Sequence, residues 1–222
     1  MKEREREGLI VTGVVCVLLL TWLGFLVHRS PRFPGSGAGA VFGIAAALLM
    51  LVPLAYPIVK RIPSIRDWVT AHFSMQSLLA LHVYAGILGP LLAIIHTGHK
   101  FDSWMGIALT AVMLLAVVSG FALRYLLPYV AHEITDKLAL LQTARGDLDS
   151  AWGILESGGP SGDVTRIAEA VADLEYSVRM HEYFKVWFSR SLKLHIVLSV
   201  ILYVLLALHI GSGIYFGLRW LQ

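Results

Sequence analysis

The chain has 222 residues, 57% of them hydrophobic and only 15% charged, with a mean hydropathy of +0.70 and a formal net charge of +3. A soluble globular protein carries about 25% charged residues, so this composition excludes an ordinary water-soluble domain. The basic residues flank apolar runs, which points to membrane orientation rather than nucleic acid. Cys16 is the single cysteine, which excludes an intrachain disulfide, a cysteine-ligated iron–sulfur cluster and the C-x-x-C-H attachment of c-type haem.

Five windows contain no Asp, Glu, Lys or Arg: 8–28, 33–59, 68–99, 103–123 and 194–218. A bilayer-spanning helix needs roughly 20 such residues. The expected architecture is an all-α integral membrane protein with five transmembrane helices, at about 9–28, 40–59, 76–97, 105–126 and 194–217. The first follows the charged start MKEREREG, is too long for a signal-peptide core and lacks an A-x-A cleavage site, so it reads as a retained span.

The connections alternate in character. HRSPRFPGSGAG is a Gly/Pro loop, KRIPSIRDWVTAHFSMQS mixes charge and aromatics as an interfacial segment does, and HKFDSW is a tight turn. The fourth connection, about 128–190, is long and patterned. Ile134, Leu138, Leu141, Leu148, Trp152 and Leu155 recur at helical spacing, as do Val164, Ile167, Val171, Leu174 and Val178. SGGPSG at 157–162 separates them, with Asp163 as an N-cap candidate. This reads as a helical hairpin, either a solvated connector or a docking platform. The chain thus divides into helices one to four (1–127), the hairpin (128–190) and helix five (191–222). Of the 18 basic residues, 14 fall before helix one, after helix two, or between Arg124 and Lys193. That bias predicts a cytoplasmic N-terminus and hairpin and an outward C-terminus.

The third expected helix holds His82 and His96; the fifth holds His195 and His209; both pairs are 14 residues apart. Fourteen residues make about 3.9 helical turns and about 21 Å of rise, so each pair shares one face and suits two cofactors at different depths. Helices three and five run parallel. His82 and His195 therefore share the inner level, and His96 and His209 the outer. Two imidazoles at one depth clamp a flat macrocycle from both faces. The expected ligands are His82 and His195 for an inner haem iron and His96 and His209 for an outer one. A lone membrane histidine is often a packing residue, but intramembrane ionisable groups default to function, and two equal spacings on parallel helices strengthen that reading.

Around them, Gly86 and Gly89 allow close approach of a flat ligand or plain helix packing, and Pro90 introduces a kink. Arg190 and Lys193 are placed by depth for the propionates of the inner haem, and Lys100 and Arg219 for those of the outer. His99 is the rival to His96, although its spacing from His82 turns it off the shared face. His181 reads as solvated, and His28, His72 and His132 lie at helix ends or in loops.

At these residues the sequence resembles the dihaem transmembrane cytochromes b. The nearest patterns are the cytochrome b of quinol oxidoreductases and the ferric-reductase-like or NADPH-oxidase-like membrane domain, in which two helices each present His-x13-His or nearly so. SLKLHIVLSVILYVLLALH looks like the fifth helix of the ferric-reductase group. The resemblance covers about 76–127 and 190–217. It implies two haem b groups, a possible quinone, and electron transfer across an inner (plasma) membrane within a multi-subunit oxidoreductase. The chain departs from the ferric-reductase pattern by lacking flavin and nicotinamide domains and a sixth helix, so redox subunits on the cytoplasmic or outer face are expected as partners. A histidine-bearing transporter or an assembly scaffold is the reading of another class. The absence of Asp and Glu from all five windows argues against the transporter.

Overall fold

Local chemistry sets the helix boundaries in the computed structural model, which describes residues 3–100, 102–157 and 162–218. Every regular element among the described residues is helical, and no strand occurs among them. The helix α1 spans Glu3–Leu23 and α2 spans Gly37–Leu51. Ser36 caps α2, its Oγ accepting the Gly39 N–H at 3.0 Å. Pro53 then tightens the chain into a 3-10 turn, Val52–Leu54, before α3 (Ala55–Arg61).

Pro63 opens the short helix α4 (Pro63–Thr70), which exposes Ile65 and Trp68 beside Arg66 and Asp67, as the mixed composition of this connection implies. Ser74 caps α5 (Met75–Thr97), which ends on Gly98 in the left-handed conformation. The last three helices are α6 (Trp104–Phe121), α7 (Leu127–Glu156) and α8 (Gly162–Leu218).

Among the described residues, five stretches are long and apolar enough to cross a membrane: Arg6–Leu23, Gly37–Arg61, Met75–Thr97, Trp104–Leu126 and Val186–Phe216. They correspond to the five uncharged windows of the sequence.

The chain divides into two units, Met1–Gly120 with Ile196–Gln222, and Phe121–His195. In the first, α5 packs against α1, α2 and α3. Gly89 sets the close approach to α2: a Cβ there would stand 3.0 Å from Met50 Cγ and 3.2 Å from its backbone nitrogen. Val11, Leu18, Ala46, Met50, Ala85 and Ile94 are buried in this unit. Tyr203 on α8 donates its hydroxyl to the Met50 carbonyl at 2.8 Å. In the second unit, Arg145 on α7 pairs with Glu175 on α8 at 2.6 Å. Those two residues are equidistant from residue 160, so the arms run antiparallel about the expected turn. Leu141 and Val171, from the two apolar seams, are buried.

Two boundaries differ from the sequence expectation. The second hairpin arm and the fifth span are one unbroken helix, α8, rather than two elements meeting near 190. The reason is composition: no Gly or Pro occurs between Gly162 and Gly211, and a change from charged to apolar residues does not by itself stop a helix. The fourth span also runs into α7 through a π-helical stretch, Ala122–Leu126, instead of a loop. Pro128 lacks an N–H and its ring crowds the carbonyl four residues back, which a widened turn relieves. Because α8 begins at Gly162, Asp163 falls within its first turn rather than at the cap.

Candidate functional site

Proline chemistry builds the first half of the site. Within a helix the Pro53 carbonyl would accept the N–H of residue 57, but residue 57 is Pro57 and has none. His82 on α5 takes that carbonyl, with Nδ1 2.8 Å from Pro53 O. A carbonyl only accepts, so Nδ1 carries the donated proton, and in a neutral ring the lone pair lies on Nε2. The Tyr56 ring lies beside His82, with centroids 5.6 Å apart.

Glycine builds the second half. His96 Nδ1 lies 2.8 Å from Gly39 O, the same contact fourteen residues along both helices. Here the carbonyl already serves the α2 ladder and accepts through its second lone pair. The imidazole reaches it across Gly43, where a Cβ would stand 2.8 Å from both Nδ1 and Cε1 of His96. His96 therefore also carries its proton on Nδ1 and presents Nε2. Hydrogen bonds of this kind fix the tautomer of a metal-binding histidine and raise its basicity.

His209 is partly buried on α8, in the same unit as His96. His195 is partly buried at the edge of the other unit. His99 is turned away to α1, with Nε2 2.8 Å from Thr21 O and Nδ1 3.5 Å from His28 Nδ1.

The remaining sequence candidates divide plainly. Gly89 is buried against Met50, and Gly86 faces Pro53 at an ordinary 3.8 Å, so both lie toward α2. Arg190 and Lys193 are exposed on α8, and Lys100 lies 3.9 Å from Asp102. Arg219 lies outside the described residues, as do the side chains of His132 and His181.

Sequence reasoning missed Gly39, Gly43, Pro53 and Pro57, the acceptor side of the site. The signal was present as two prolines four residues apart in an apolar segment, a pattern that orphans a carbonyl. Among the described residues no three or more His, Cys, Asp or Glu side chains converge on one point. A haem iron asks the protein only for its axial ligands, and imidazoles that donate Nδ1–H to a carbonyl fit that demand. Comparison with protein-family models, with curated proteins and with solved structures finds no match.

Proposed function

We propose that this chain is a membrane-embedded electron-transfer subunit that holds two b-type haems, the inner between His82 and His195 and the outer between His96 and His209. The observation that carries the reading is the repeated tautomer lock, Nδ1 of His82 2.8 Å from the carbonyl of Pro53 in the 3-10 turn and Nδ1 of His96 2.8 Å from the carbonyl of Gly39 in α2, on histidines one cofactor spacing apart. Packing alone does not require the same ring nitrogen to be presented twice. The equal fourteen-residue spacing on α8 offers His209 as the second imidazole at the outer level.

Membrane insertion is supported by exposed apolar side chains on all five spans, including Leu20, Leu48, Leu81, Leu115 and Val204. A water-facing surface of that kind would aggregate. The basic bias of the sequence orients the N-terminus to the cytoplasm and the C-terminus outward.

Bound haem supplies one-electron chemistry at iron. The protein holds the axial imidazoles, fixes their protons on Nδ1 and keeps the site within an apolar bundle, where ligand basicity and burial set the potential. Electron donors and acceptors are redox subunits or a quinone, or a separate flavoprotein if the chain works as a ferric-reductase-like core. The deciding measurement is the visible spectrum of the purified chain, oxidised and dithionite-reduced, with a pyridine haemochrome assay. Close to two non-covalent haems per chain are expected, and a colourless preparation from haem-replete cells would sink the assignment.

A further inference from the structure

We propose that His28 and His99 form a two-histidine site for a borderline divalent ion of the zinc or copper class, where the end of α1 meets the end of α5. The site goes beyond the haem assignment and uses none of its four ligands.

Distance is the first argument. The two Nδ1 atoms stand 3.5 Å apart. A neutral N–H donor settles at about 2.9–3.0 Å from its acceptor, so the pair is too far apart for a good hydrogen bond. A tetrahedral ion with bonds of 2.0–2.1 Å needs its nitrogen donors about 3.4 Å apart. The rings are nearly perpendicular, 83° between planes with centroids 5.8 Å apart, so they are not stacked.

Proton placement is the second. His99 Nε2 lies 2.8 Å from the Thr21 carbonyl, which can only accept. The contact places a proton on Nε2, so in a neutral ring the lone pair lies on Nδ1, the atom nearest His28. This is the outer hydrogen bond that metal-bound histidines characteristically make.

Construction is the third. His99 has φ of 57°, a left-handed conformation that residues bearing a side chain rarely adopt. The surrounding contacts hold it there. Gly98 is also left-handed at φ 53°, its carbonyl accepts the Ser30 N–H at 2.8 Å, and the His99 N–H reaches Thr97 Oγ1 at 3.1 Å. The Ser30–Gly98 bond joins the two loops, so His28 and His99 are positioned together. Gly24 leaves room for the imidazole: a Cβ there would stand 3.2 Å from Cε1 and Nε2 of His99. His28 is exposed, so an ion has access, with water completing its shell. Imidazole nitrogen selects zinc, copper and nickel over magnesium or calcium.

The test is Cu2+ and Zn2+ titration of the tag-free full-length chain in nanodiscs. Wild type is expected to bind one ion whose copper EPR spectrum shows two nitrogen donors. His28→Ala, which leaves the Thr21 contact intact, and His99→Ala should each weaken that binding about tenfold or more, while His72→Ala should not. Equal affinity in wild type and His28→Ala, fewer than two nitrogen donors, or no bound ion would overturn the proposal. The visible spectrum reports separately on haem, so a colourless chain that still lost this ion in His28→Ala would defeat only the haem assignment.

Discussion

His82 reaches the carbonyl of Pro53 at 2.8 Å, and the residue four positions on, which would donate to that carbonyl in an α-helix, is Pro57 and has no N–H. The pairing ties a histidine of an apolar helix to a segment whose helical ladder is interrupted at that point. Restoring the ladder should release it. In Pro57→Ala a new N–H competes for the carbonyl, and the His82 ring loses the acceptor that makes it a stronger donor to iron. Weaker donation favours the reduced metal, so the midpoint potential of the inner haem should rise. A net hydrogen bond of about 0.5–1.5 kcal/mol corresponds to roughly 20–60 mV for one electron. Redox titration of both haems checks this; an unchanged inner potential, or an equal shift in both haems, counts against the role given to Pro53.

The outer histidine depends on a missing Cβ instead. Gly43→Ala would put a methyl group 2.8 Å from two atoms of the His96 ring, a distance that real contacts do not adopt. The ring has to leave Gly39 O. Haem content should fall from two toward one per chain, with the inner haem retained. Gly211→Ala is the matched control, because a Cβ at Gly211 meets nothing within 4 Å.

Ligand pairing gives the broadest check. His82→Ala and His195→Ala should remove the same haem, and His96→Ala and His209→Ala the other. The equal fourteen-residue spacings on α5 and α8 motivate both pairs. If His82→Ala and His209→Ala abolished one common signal and spared the other, the depth assignment would be wrong.

Tyr203 offers a measure of bundle stability that does not involve the histidines. Its hydroxyl is the donor to Met50 O at 2.8 Å, linking α8 to α2. Tyr203→Phe should lower stability by about 0.6–1.5 kcal/mol, read as a reduced thermal midpoint in detergent. The ratio of haem to protein should stay unchanged.

The spans were legible because uncharged windows and helix length are direct consequences of apolar burial. The histidine spacing was legible because it needs only the helical repeat. What sequence reading missed comes from covalent details whose effect appears one helix away. Pro57 matters through a carbonyl at Pro53, and Gly43 through a ring at His96, so neither shows until α2 and α5 are paired. The continuity of α8 was missed for another reason: charged Arg190 and Lys193 mark where an apolar run begins, not where a helix does.

That continuity gives the last prediction its form. A return from the fourth span to the fifth needs only a few residues, yet this chain places α7 and the first part of α8 there. The two arms carry a buried seam at Leu141 and Val171 and an ion pair at Arg145 and Glu175, so the segment is built rather than slack. Its exposed side chains include Trp152, Tyr176 and Tyr183, residue types enriched where proteins meet. Replacing residues 138–178 with a short Gly/Ser loop should leave both haem spectra nearly unchanged, because all four histidines lie outside the excised segment. It should abolish co-purification of a cytoplasmic redox subunit and slow haem reduction in whole membranes. Each arm can be scored alone: Trp152→Ala on α7 and, separately, Tyr176→Ala on α8 should each weaken partner binding while the helical content of the chain holds. A shortened chain that kept its partner and its turnover would leave the hairpin as a connector only.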